Sequence, residues 1–348
     1  MKGPIELPDY AYERLERYRS LLGERWQEFL EALRRPLPVA AWRNAARVDA
    51  ATLENWFQSV EPGVTLERLP WFDRGYRLWA SPASGASAGA EADDGALSGP
   101  RTPDPRPGNR AARALGLLHL QEEVSMIPAV LLGAKPGEQI LDLCGAPGNK
   151  TALVASLMND RGTIVCNDTD IKRLRAGRTA WSRLGFSSIT ATNHDGGSYP
   201  APTASFDRVL VDAPCSGEGT SRRNLSSLRP GPPDYYRMLH GRQRRLLERA
   251  LQLCRPGGRV VYSTCTYAPE ENEMVIADAL ADGRAAGRAG SDITLLPARV
   301  EGLNSSPGIT CYDGVELGGE LENTMRVWPH LNDSGGFFVA VLEKSLHE

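Results

Sequence analysis

Apolar residues recur at helical spacing through Tyr10, Leu15, Tyr18, Leu22, Trp26, Phe29 and Leu33, with charged residues between them. This pattern predicts one or two amphipathic helices within residues 1–35. Over 36–80 a helix-like run, VDAATLENWFQSV, precedes the extended pieces TLERLPWF and YRLWA, the pattern of a small α+β module. Residues 81–111 are Ala, Gly, Ser, Pro and Asp with almost nothing large to bury. Such a segment cannot offset the entropy of ordering, so a flexible insertion is expected. From 112 to 348 the pattern changes to strands alternating with helices. Strands are predicted at 139–144, 162–167, 188–192, 207–213, 258–264 and 336–344, and helices at 148–159, 171–184, 234–254 and 270–281. The fold class that follows is α/β, a doubly wound parallel sheet covered on both faces.

The 348 residues are 41% hydrophobic and 24% charged, which excludes collagen-like, coiled-coil and wholly disordered chains. The formal net charge is -3, so any nucleic-acid site has to be a local basic patch. No stretch approaches the apolar length of a membrane span, and the first twenty residues are too charged for a secretory leader. A cytoplasmic monomer without membrane contact is expected. The six cysteines include no Cys-x-x-Cys pair and few histidines stand near them, so neither disulfides nor a metal site is indicated.

Three loops carry candidate chemistry. The first predicted strand runs into Cys144-Gly145-Ala146-Pro147-Gly148-Asn149-Lys150 and a helix. The glycines allow a sharp turn and close backbone approach to a ligand, and the helix start offers free N–H groups. A phosphate-binding P-loop needs Gly directly before Lys-Thr, where Asn149 stands. Asp168 ends the second strand, where doubly wound folds place the acid that binds ribose hydroxyls. A tight turn followed by a helix-capping aspartate would give the same letters. The fourth strand ends in Asp212-Ala213-Pro214-Cys215-Ser216-Gly217-Glu218-Gly219-Thr220 and the fifth in Ser263-Thr264-Cys265-Thr266-Tyr267. In strand order 3-2-1-4-5 these ends are neighbours, so the two thiols should face one another. Buried structural cysteines are the plain alternative, but both lie just past a strand on polar loops, where function concentrates.

LDLCGAPGNKT, VDAPCSGEGTSRRN, YSTCTYAPEENE and the upstream HLQEEVSMIPA together resemble the motif series of the RNA cytosine-5 methyltransferases of the Nol/Nop/Sun type, which include bacterial ribosomal-RNA enzymes. The similarity covers about 112–344, and more weakly 36–80, where that family carries a small RNA-binding module. It implies a Rossmann-like class I methyltransferase domain, S-adenosylmethionine as methyl donor, and ribosomal or, second, transfer RNA as substrate. It also implies that Cys265 is the nucleophile and that Cys215 assists product release. Asp212 would hold the base edge or the donor, and Lys150 would support the transition state, against a surface lysine as the plain alternative. The loop Cys144 to Gly148, Lys150, Asp168, Asp195 and Asp212 would form the donor site, with the Cys144 thiol itself a packing group. Asp195 would meet the adenine amino group, although an aspartate in a loop turn is as ordinary. Asn149 departs from the family, which usually has a third glycine there.

Residues 222–249 hold eight arginines against Asp234 and Glu248, beside the Cys215 loop. Arg222 and Arg223 are the leading candidates for RNA phosphate contact, against a solvated helix face as the usual meaning of such a run, and Tyr235, Tyr236 and His240 are candidates for base stacking, against core packing for at least one of them. The competing functions are a catalytically silent RNA-binding ribosome-assembly factor and a DNA cytosine methyltransferase, which attacks through the Pro-Cys thiol and lacks the Thr-Cys partner.

Overall fold

Strands at the centre of the molecule alternate large apolar side chains toward two separate cores, which requires cover on both faces of their sheet. Ile140, Ile164, Leu210, Val261 and Val339 point to one side, and Leu141, Val209, Val211, Val260, Tyr262 and Phe338 to the other. The structure is a computed structural model that describes residues 5–80, 103, 110–285 and 293–346. The predicted insertion 81–111 falls almost wholly outside the described residues.

Among the described residues there are fifteen strands in chain order. These are β1 (Val39–Arg43), β2 (Val64–Leu69), β3 (Phe72–Ala80), β4 (Leu118–Leu120), β5 (Gln139–Asp142), β6 (Thr163–Asn167), β7 (Ile189–Thr192) and β8 (Phe206–Asp212). They continue with β9 (Cys254–Thr264), β10 (Ile293–Leu296), β11 (Ser306–Pro307), β12 (Cys311–Tyr312), β13 (Val315–Glu316), β14 (Met325–Val327) and β15 (Phe337–Lys344). The main sheet runs β11-β14-β15-β9-β8-β5-β6-β7, with β10 also on β15. β5 to β9 are mutually parallel in the expected 3-2-1-4-5 order, while β15 is antiparallel to β9. The helices Asn149–Leu157, Ile171–Leu184, Tyr235–Leu253 and Glu273–Ala285 fill the crossovers. The sequence pattern missed β10, β11 and β14, which at two to four residues are too short to show alternation.

The smaller sheet, β2-β3-β1-β4, is antiparallel and packs against the helix Ala50–Val60, whose N-terminus is capped by the Asp49 carboxylate accepting from the Thr52 N–H. Its residues come from both sides of the expected boundary at 112. β4 pairs with β1 (Trp42 opposite His119), and Ala112 and Leu118 share a core with Leu53 and Phe57. The module therefore draws its last strand from beyond the 81–111 segment, because β1 would otherwise expose an unpaired edge. The three N-terminal helices, Asp9–Glu16, Arg19–Leu22 and Trp26–Arg34, pack instead on the α/β domain. Tyr18 and Phe29 meet Tyr267 and Trp328, which stack with centroids 5.2 Å apart.

Candidate active site

β8 and β9 run parallel with Asp212 opposite Ser263, so their following loops leave the sheet side by side. This places the Cys215 and Cys265 sulfurs 3.4 Å apart, both partly accessible. Hydrogen bonds tie the loops together: Ser216 Oγ lies 2.6 Å from Thr266 Oγ1, and the Gly219 N–H donates to the Cys265 carbonyl at 2.8 Å. Gly219 is required there, since a Cβ would stand 2.2 Å from the Gly336 carbonyl oxygen. The hydrogen bond with Cys265 and burial push the Cys215 thiol well above the usual range, so it stays protonated.

Lys150 occupies the first turn of the helix that follows the glycine loop and is only 9% exposed, which disposes of the surface-lysine alternative. Its ammonium donates to Asp212 Oδ2 at 2.6 Å, and Ser263 Oγ donates to Oδ1 at 2.9 Å. Burial alone would lower the lysine pKa, but Asp212, with a smaller contribution from Cys265, outweighs it and raises the pKa. The site thus holds a fixed cation beside the thiols. Asp142, at the end of β5, accepts from Thr151 Oγ1 at 2.6 Å while its Oδ1 has no partner. Burial lifts its pKa to about 7. The sequence reading passed over Asp142, although its place at a strand's carboxyl end is the signal that selects Asp168 and Asp212.

At the ends of β5, β6 and β7 lies a cleft of about 260 Å³ lined by Cys144, Asp168, His194, Asp195, Pro214 and Arg245, among others. The turn above it needs its glycines. A Cβ on Gly145 would stand 2.5 Å from the Cys166 sulfur, and Gly148 has φ +95° with Trp181 2.4 Å from where a Cβ would be. Asp168 accepts from the Ala146 and Asp170 N–H groups at 3.1 and 2.8 Å, which anchors the loop containing Ala146 and Pro147. Asp195 caps a short turn through the Gly197 N–H and stays exposed, with Arg245 3.5 Å away. A cleft with acids from two neighbouring strand ends fits a ligand carrying ribose hydroxyls and an amino group.

Two buried carboxylates that the sequence reading did not single out hold the thiol loops. Glu271 accepts from the Ser216 N–H at 2.9 Å and from Gln243 at 2.8 Å. Glu218 is fully buried and receives Arg14 at 2.8 Å, Tyr236 at 2.5 Å, Tyr18, and more distantly Thr266. The expected RNA contacts divide accordingly. Arg222 departs from expectation: its side chain has no exposure and its donors are taken by the carbonyls of Arg35, Pro36 and Ser334 and by Asp333. It is a structural clamp, because a buried guanidinium must satisfy its donors inside the protein. Tyr236 is committed to Glu218 and His240 to Asp278 and the Glu270 carbonyl, whereas Arg223 is exposed.

No group of His, Cys, Asp or Glu side chains among the described residues is arranged to hold a metal, and no described helix is long and apolar enough to cross a membrane. The family model described as 16S rRNA methyltransferase RsmB/F matches residues 129–343. Ribosomal RNA small subunit methyltransferase F of Escherichia coli (strain SMS-3-5 / SECEC) is 31% identical over 92% of this chain and 60% of its own length. The multisite-specific tRNA:(cytosine-C(5))-methyltransferase of Saccharomyces cerevisiae is 30% identical over 95% of this chain and 55% of its own. The chain thus spans about three fifths of the length of the curated relatives it matches. A crystal structure of a methyltransferase homolog from Pyrococcus horikoshii superposes with TM-score 0.75 at 31% identity, covering 98% of this chain and all of that one.

Proposed function

The chain belongs to the RsmB/F family of 16S rRNA methyltransferases, and we propose that it methylates carbon 5 of cytosine in RNA with S-adenosylmethionine as donor. The observation that carries this reading is the pair of thiols 3.4 Å apart beside the Lys150–Asp212 ion pair. When bound, S-adenosylmethionine supplies a methyl group activated by a positively charged sulfur. Asp168, Asp195 and the Cys144 to Gly148 turn are the residues that would hold it. Carbon 5 of cytosine is a weak nucleophile. The Cys265 thiolate adds to carbon 6, and the displaced electron pair makes carbon 5 enamine-like, able to bond the methyl carbon, whose bond to the donor sulfur would break with its electron pair leaving on that sulfur. A base then removes the carbon 5 proton, the carbon 5–carbon 6 double bond re-forms, and the Cys265 sulfur departs with the electron pair of its bond to carbon 6. Cys215, kept protonated, is suited to deliver a proton to that departing sulfur.

Lys150, held cationic by Asp212, hydrogen-bonds the ring as negative charge grows on it during thiolate addition. Both faces of the target ring must be reached, so the base leaves its stack. The small β2-β3-β1-β4 module serves RNA binding in this reading. Small-subunit ribosomal RNA is the first substrate to test, in keeping with the name of the Escherichia coli relative, and transfer RNA, named for the yeast one, the second.

The test is transfer of labelled methyl to cellular RNA. Wild-type protein should label it, Cys265→Ser should not, and Cys215→Ser should accumulate a covalent protein–RNA band on a denaturing gel. Full activity of Cys265→Ser overturns the mechanism, RNA binding without label supports a silent assembly factor, and label in DNA points to a DNA enzyme.

A further inference from the structure

A second cavity, of about 700 Å³, opens between the Pro36–Ala40 segment that leads into β1 and the α/β domain. Asn149, Glu122 and Arg223 line it, and Asn149 directly precedes the active-site Lys150. A chain of hydrogen bonds fixes the Asn149 amide. An Arg183 N–H donates to His119 Nδ1 at 3.1 Å, so that nitrogen is the acceptor and Nε2 carries the proton. Nε2 lies 3.0 Å from Asn149 Oδ1 and therefore donates to it. Burial holds His119 neutral, its pKa lowered to about 4, so the tautomer persists at working pH. With its oxygen occupied, Asn149 has two N–H donors left, and these have no partner among the described residues.

The Glu122 side chain lines the cavity with its Oε1 turned inward to the turn before β15, where a Cβ on Gly335 would fall 1.9 Å away, and the charge of Arg223 acts on this carboxyl. Arg223 is exposed at the rim and forms no ion pair among the described residues. The cavity is therefore lined by the free Asn149 amide, the Glu122 carboxyl and the Arg223 guanidinium, with Asn149 one residue from Lys150. Those are the features that a base edge and a phosphate require.

We propose that this cavity is the subsite for the nucleotide next to the target cytosine in single-stranded RNA, with Asn149 and Glu122 reading its base edge and Arg223 holding a phosphate. This rests on the RNA methylation reading above.

The experiment uses the full chain and a pool of short RNAs with one cytosine between randomised flanks, read by bisulfite sequencing after incubation with S-adenosylmethionine. Wild-type protein should prefer particular nucleotides at one flanking position by about tenfold. Asn149→Asp keeps an oxygen for the His119 N–H but removes the two free amide donors. It and Glu122→Gln should each change the preference at that position, whereas Arg223→Ala should weaken all sequences alike. An unchanged preference in both Asn149→Asp and Glu122→Gln overturns the subsite. A second measurement, fluorescence anisotropy of labelled RNA hexamers without donor, separates the two readings. Sequence-dependent binding that the variants alter, with no methylation by wild type, upholds the subsite and removes the activity. Binding that is indifferent to sequence in wild type and variants overturns the subsite.

Discussion

The cleft proposed for the donor and the thiol corner lie at the same end of the sheet but are built by different means. The cleft is made from the sheet itself: strand ends, a glycine turn, and short acids that bond to backbone N–H groups one or two positions away or across the loop. The thiol corner is held by charges from elsewhere in the chain, with Glu218 gripped by Arg14 and Tyr18 of the N-terminal helices and Glu271 closing on the Cys215 loop. Local bonds of the first kind tolerate change in distant regions. A corner held by buried ions from distant segments is placed firmly, but it fails as a unit when one member is removed.

The sharpest way to break this comparison is Lys150→Met, which removes the cation beside the thiols and leaves Asp212 with one partner. Methyl transfer is expected to fall on the order of 10²–10³-fold, while donor affinity measured by calorimetry should hardly move. Glu218→Gln is next. It leaves Arg14 and two tyrosines facing a neutral amide, and should lower both melting temperature and turnover, the latter by about tenfold, again with donor affinity preserved. A matching loss of donor affinity would show that the two regions are not separately built. Asp168→Ala reverses the pattern: donor binding weakens by about tenfold, and the rate at which Cys265 reacts with an alkylating reagent stays the same.

The smallest effect sharpens the boundary between the regions. The Asp142 pKa is raised from 3.8 to about 7, so between those values the folded state binds a proton that the unfolded state does not. Stability from this group therefore falls as pH rises through that window and is flat above it. Asp142→Asn keeps the bond to Thr151 and removes the penalty, so its melting temperature should exceed wild type by more at pH 8 than at pH 5. Equal differences at both values would refute the raised pKa.

These two modes of construction also explain what was legible beforehand. Gly145, Gly148, Asp168 and the neighbouring Cys215 and Cys265 loops could be placed from sequence because strand order and turn chemistry act over short distances. Glu218 reads in the sequence as one polar residue between two glycines, since nothing local announces that Arg14 and Tyr18 will reach it. Arg222 and Arg223 look alike in sequence, yet one is sealed under the Arg35 and Pro36 carbonyls and the other faces solvent. Lys150 sits on a helix whose first turn gives no local sign of burial. Its burial comes from packing against β8 and Phe337. The pairing of β4 with β1 has no local signal in the sequence, because the long polar segment separates the two strands.

The contact between the first helices and the Cys215 loop has a consequence for how the chain is made. Tyr18 and Glu218 are 200 positions apart, and Arg17 and Glu270 are 253 apart. As the nascent polypeptide leaves the ribosome, its earliest helices have to wait for most of the later chain before their apolar faces find Tyr267 and Trp328. Until then Leu15, Phe29 and Leu33 lack the surface that covers them, so docking of this corner is a late step in folding.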